Sequence, residues 1–124
     1  MSRIFLVFIG GGLGSALRYL IGLVLNRSDF LTPYGTFLVN ILGSFLIGLL
    51  AGYNLRYLNL SHEYQALLIA GFLGGFTTFS AFAFENLVMI QNGRYLLFFA
   101  YFFTTLIMGL IAVALGYYLS GYLK

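Results

Sequence analysis

"GFLGGFTTFSAFAFE", residues 71–85, decides how this chain is read. It holds three glycines, five phenylalanines, two threonines and a serine, and it ends on Glu85. A run this apolar belongs in hydrocarbon, yet Gly74, Gly75, Thr77, Thr78 and Ser80 interrupt it. Gly74-Gly75 predicts a break in a membrane helix, softened further by the two threonines. Broken helices at membrane depth occur only where the freed backbone groups meet protein, water or an ion. Freed carbonyls of this kind can coordinate a hard cation such as Na⁺. Beyond the break, Phe79 and Phe82 stand three apart on one helical face. An aromatic ring has a negative face and a positive edge, so ring edges can contact an anion while walling out water. A phenylalanine stripe is also ordinary packing; the company of Thr77, Thr78 and Ser80 is what sets this one apart.

The surrounding composition agrees with a lipid environment. Of 124 residues, 61% are hydrophobic and 7% charged, against about 25% charged in soluble domains. Such a chain cannot cover itself with a polar surface. It has no cysteine, which removes disulfides and thiol chemistry. Its single histidine, His62, sits beside Glu63 in a polar stretch, so no His/Cys metal cluster can form. The only acids are Asp29, Glu63 and Glu85, and no Ser/His/Asp set can be assembled within a membrane from them. The inventory argues against an enzyme. The net charge of +3 is spread along the chain, with no basic run for nucleic acid. The glycine tract at residues 10–14 does not match a phosphate-binding loop and follows no strand.

Four segments reach the roughly 20 apolar residues that a membrane helix needs: residues 4–25, 34–53, 64–90 and 95–122. The first is too long for the apolar core of a cleaved signal and carries Arg18, so it is expected to be retained. Pro33 suits the first turn of the second span. The connections "NRSDFLT", "NLRYLNLSHE" and "QNGR" are short and polar, leaving no room for a separate domain. Tyr53, Tyr57, Tyr64, Tyr95, Tyr117, Tyr118 and Tyr122 fall near span ends, as an interfacial belt requires. The pairs Gly10/Gly14, Gly48/Gly52 and Gly71/Gly75 have the spacing that lets helix backbones approach.

With four spans, both termini share one side, which holds Arg3, Arg56 and Lys124; the other side holds Arg27 and Arg94. Orientation follows the Lys/Arg bias of short loops, and this bias is slight. Two readings fit: one extra charge fixes a single orientation, or the chain inserts both ways and pairs with an inverted copy.

Several polar groups inside the spans need explanation. A central arginine costs about 2.5–3.5 kcal/mol to insert, so Arg18 faces protein or water, either as a structural group or as a positive charge in an aqueous vestibule. In the second span, Thr36, Asn40, Ser44, Gly48 and Gly52 follow at i, i+4 steps and make a slowly drifting small-and-polar stripe. Asn40 serves either as interhelical glue, the plainer reading, or as a donor lining a pore. Tyr101 and Thr105, again i, i+4 with Thr104 beside them, are hydroxyls bonded to their own backbone on the plainer reading, or lining groups on the other.

These residues resemble the small bacterial fluoride channels of the Fluc or CrcB family. "GGLGSALRY" (Gly11 to Tyr19) is similar to the family's first-span motif, "PYGTFLVN" (Pro33 to Asn40) to its second-span motif, and "GGFTTFSAF" (Gly74 to Phe82) to its central signature. The three motifs occur in order, and the four-span layout covers the whole chain. The resemblance implies an all-α integral membrane protein of four helices with a break in the third, forming a dual-topology antiparallel homodimer in the inner (plasma) membrane. It implies two pores per dimer and a structural Na⁺ at the dimer centre, held by backbone carbonyls of Gly74 and Thr77 from each subunit. Phe79 and Phe82 would turn ring edges to the fluoride path and Asn40 would be the pore amide. Ser80, Thr105 and Tyr101 would supply hydroxyls, and Arg18 would sit at the vestibule. Ala81 departs from the family, which commonly has Ser or Thr there.

The expected function is passive export of fluoride that relieves its toxicity. Two rivals are a small multidrug-type antiporter and a non-conducting membrane assembly subunit. Such exporters look for an acid in the first span, where this chain has Arg18. Glu85 reads either as a vestibule acid or, the plainer reading, as an ordinary end-of-span charge, and neither puts a carboxylate at mid-span for a proton relay.

Overall fold

The computed structural model describes residues 2–26, 33–57 and 60–122. Four helices in it are long and apolar enough to cross a membrane. The first is α1 (Arg3–Leu25) and the second α2 (Tyr34–Arg56). The third span, His62–Gln91, is composite. It begins with α3 (His62–Tyr64), continues as the π-helix π1 (Gln65–Leu73) and the short turn α4 (Gly74–Phe76), and resumes as α5 (Phe79–Gln91). The fourth span is α6 (Tyr95–Leu119), closed by a 3₁₀ turn at Ser120–Tyr122. This is a multi-pass membrane protein. The second helix runs to Arg56 rather than Tyr53, and the third starts at His62 rather than Tyr64. Arg27, Asp29 and Lys124 lie outside the described residues, as does most of the first connection.

Side chains close the helix ends. The first N–H groups of a helix have no partner within it. Asn26 Oδ1 accepts one from Gly35 N–H at 2.7 Å, and Ser61 Oγ accepts one from Tyr64 N–H at 3.5 Å. Between α5 and α6 the chain reverses through Gly93, whose φ of 68° favours glycine.

α2 packs along α6, and α1 packs along π1 and α4. Lipid tails are as apolar as side chains, so close backbone approach replaces hydrophobic burial as the driving contact. A Cβ at Gly48 would meet the carbonyl of Val113, and one at Gly116 would meet that of Phe45. Gly14 lies in the same way against the Phe72 carbonyl, and Gly75 against Gly11. Large apolar side chains such as Ile4 and Leu96 point outward, as a lipid solvent allows. Gly14→Val and Gly48→Val are each expected to abolish the folded state, read as loss of a monodisperse gel-filtration peak in mild detergent. An unchanged peak would mean that the helices can separate without loss.

Candidate functional site

The third span is interrupted by two residues with extended backbone, Thr77 (φ −82°, ψ 158°) and Thr78 (φ −149°, ψ 115°). The expected position, Gly74-Gly75, is instead helical. The displacement has a side-chain cause on α2. Thr78 N–H donates to Asn40 Oδ1 at 2.8 Å, and Asn40 Nδ2 donates to the Thr78 carbonyl at 3.1 Å. One amide thus satisfies both backbone groups of Thr78. Thr78 then caps α5 by accepting Ala81 N–H on its hydroxyl at 3.2 Å.

The interruption takes the helical donors away from the carbonyls of residues 74–77, Gly74 and Thr77 among them. In a continuous helix the Gly74 carbonyl would receive Thr78 N–H and the Thr77 carbonyl would receive Ala81 N–H. Those donors go to Asn40 and to the Thr78 hydroxyl instead. Gly74 and Thr77 therefore offer backbone oxygens that could hold a hard cation. The intervening Gly75 carbonyl already accepts from Ser15 Oγ at 3.3 Å.

A groove of about 460 Å³ gathers Asn40, Gly74, Thr77, Phe79, Phe82 and Thr105. Phe82 is 4% exposed and Phe79 is 79% exposed. Their ring centroids are 6.1 Å apart with planes at 47°. Phe82 is held by Tyr101 at 5.3 Å and Phe102 at 5.7 Å, so one ring is fixed inside the bundle while the other projects from the chain.

Arg18 is not in this groove. It lines a second cavity of about 360 Å³ with Ser15, Asn26, Thr36, Thr78 and Ala81. Its Nε is buried with no hydrogen-bond partner among the described residues, which leaves an unsatisfied cationic donor and favours an anion there. Thr78 lines both cavities, so the interruption separates a cationic chamber from an aromatic one. Ala81 faces the cationic chamber and brings no hydroxyl to it.

Glu85 is not the ordinary end-of-span charge that was the plainer of its two readings. It is 4% exposed and lies on α5 well before Gln91. Its Oε1 accepts from Thr36 Oγ1 on α2 at 2.6 Å, and its Oε2 accepts from Tyr101 OH on α6 at 2.9 Å. The membrane interior therefore does contain a carboxylate, and its supposed absence cannot be used against a proton-coupled transporter. A signal was present in the sequence: the apolar residues continue past Glu85 to Ile90. Thr36, one turn before Asn40, was the other half of the clue.

The hydroxyls divide by what they already bond. Tyr101 directs its only proton to Glu85. Thr105 Oγ1 donates to the Tyr101 carbonyl at 2.7 Å, and Thr77 Oγ1 to the Leu73 carbonyl at 3.0 Å. Ser80 is exposed, pairs with the Thr78 hydroxyl at 3.3 Å, and stands with Tyr101 outside the lining of the groove.

Comparison with known proteins gives one consistent answer. Residues 5–117 match the family described as "CrcB-like protein, Camphor Resistance (CrcB)". A Bacteroides fragilis protein named "Fluoride-specific ion channel FluC" is 44% identical over 128 aligned positions, covering 100% of both chains. Proteins of the same name from Azobacteroides pseudotrichonymphae and Hydrogenobaculum are 44% and 42% identical over at least 94% of each chain. With the four-span bundle, the interruption and this likeness over nearly the whole length, the chain belongs to the CrcB-like family.

Proposed function

We propose that this protein is a fluoride-selective passive channel of the inner membrane that lets cytoplasmic fluoride leave and so relieves its toxicity. The observation that carries the proposal is its full-length likeness to proteins named as fluoride-specific ion channels. The geometry supports it. Fluoride is small and holds its water tightly, so a path must replace that water with donors and ring edges in a narrow space. Asn40 keeps one N–H beyond the one given to Thr78, and the fixed Phe82 ring shares its groove. Arg18 draws anions toward the other side of Thr78. The inside-negative potential drives an anion outward by about 2.3 kcal/mol per charge per 100 mV.

The assembly in this reading is an antiparallel homodimer with two pores. Its support is the exposed Phe79, a ring that a second copy would cover, and the released carbonyls of Gly74 and Thr77, which two copies would bring to one Na⁺. Bound there, Na⁺ would neutralise carbonyl dipoles at the subunit junction.

One observation favours a second reading. Buried Glu85 is the kind of group that proton-coupled exporters use. Liposomes loaded with potassium fluoride, given valinomycin and followed with a fluoride electrode, separate the two. Rapid fluoride release, no chloride release from matched vesicles, and no uphill fluoride movement under an imposed pH gradient are expected. Uphill movement coupled to protons would replace the channel reading with the antiporter, and no release of either ion from folded protein would leave an assembly subunit.

A further inference from the structure

We propose that Ser44 donates a hydrogen bond to the passing anion and, with Asn40, forms a coordination step in the groove. The proposal rests on the channel reading above and adds a residue to it.

The argument is a count of protons. A donor that nothing else holds coordinates an anion without first giving up another hydrogen bond. Tyr101 is turned to Glu85, Thr105 and Thr77 are turned to nearby backbone carbonyls, and the Thr78 hydroxyl is paired with Ser80 and accepts from Ala81 N–H. Among the described residues that line the groove, Ser44 has a hydroxyl that meets no hydrogen-bond partner. Asn40 retains one N–H.

Placement adds to chemistry. Ser44 follows Asn40 by four residues on α2, so it lies on the same face about 6 Å further along the helix axis. Across from it α6 presents Gly109. A Cβ at Gly109 would meet Ser44 Oγ at 3.7 Å and no other described neighbour within 4 Å. The missing side chain leaves space beside the hydroxyl, and both residues line the groove. Two free donors one turn apart, facing a notch, suit handing a small anion from one to the next.

The test uses full-length protein in liposomes and measures fluoride release for wild type, Ser44→Ala and Ser44→Thr, each checked for a monodisperse peak before reconstitution. Loss of one donor to a charged ligand should slow release about tenfold in Ser44→Ala. Ser44→Thr keeps the hydroxyl and should stay within about threefold of wild type. Wild-type rates in Ser44→Ala would overturn the proposal and leave the channel reading standing. Equal slowing in both variants would also overturn it, because side-chain shape rather than the hydroxyl would then be at work. A wild type that releases no fluoride would overturn the channel reading itself.

Discussion

Asn40→Ala is expected to abolish fluoride release and to lower stability in the same protein. Asn40 is the single side chain that meets both backbone groups of Thr78 at the interruption. Truncating it leaves a backbone N–H and a C=O inside the bundle without partners. Each such orphan costs about 1–3 kcal/mol, so a total loss of about 2–4 kcal/mol is the central expectation. The chain cannot recover this loss by closing the helix cheaply, because Thr78 also caps α5 with its hydroxyl. Asn40→Asp separates the two roles. Aspartate keeps an oxygen for Thr78 N–H but has no N–H for the Thr78 carbonyl or for an anion. It should retain more of the stability than alanine does and still fail to release fluoride. Thermal unfolding in detergent and electrode-monitored efflux measure the two quantities. If Asn40→Ala conducts at the wild-type rate, neither the brace nor the donor is needed and the site must be placed elsewhere.

The bundle itself was legible because membrane insertion asks for little beyond length and apolarity. The four spans emerge from those two properties, and the observed ends differ by a few residues, as at the start of the third span, where Ser61 caps it. The glycine contacts were legible for a similar reason: small residues at four-residue spacing mark close approach whatever they approach. The interruption was legible as an event but not in position. Gly74 and Gly75 are the more flexible residues, yet flexibility only permits a break. Its position is set by Asn40, which is 38 residues from Thr78 in sequence, and no local pattern could supply that partner.

The structure brings some of the residues named from sequence together and says what each already bonds. Asn40, Phe79, Phe82 and Thr105 do share one groove, whereas Arg18 lines a separate chamber. A sequence names hydroxyls but does not say where each proton points. Tyr101 and Ser44 show the difference. Tyr101 reads as a hydroxyl bonded within its own helix or lining a path, and the structure turns its proton to a carboxylate on another span; Ser44 reads as one step in a stripe, and the structure leaves its proton free. Glu85 stays ambiguous in the sequence because its partners lie on other spans. Thr36 and Tyr101 come from two other spans, and only their arrival makes burial of a carboxylate tolerable.

That convergence makes Glu85→Leu the other substitution of large expected effect. Glu85 ties α2, α5 and α6 together through its two oxygens. Leucine of similar bulk would leave the Thr36 and Tyr101 hydroxyls, both in buried residues, without their acceptor. By the cost of orphaned hydroxyls the loss is about 2–4 kcal/mol, seen as a lower unfolding temperature. Tyr101 would also lose the bond that orients it, and Phe82 packs on that ring at 5.3 Å, so fluoride release should fall together with stability. If the three groups act as one unit, adding Tyr101→Phe to Glu85→Leu should cost less than the sum of the two single changes. Additive costs would mean independent contacts. Glu85→Gln then decides what the group is for. Glutamine keeps the shape and one accepting oxygen, so a hydroxyl can rotate to accommodate its amide, but it cannot carry a proton across. A channel that uses Glu85 as a brace should keep most of its fluoride release in Glu85→Gln. A proton-coupled exporter should lose transport while remaining folded, and that outcome would move the buried carboxylate from the architecture into the transport cycle.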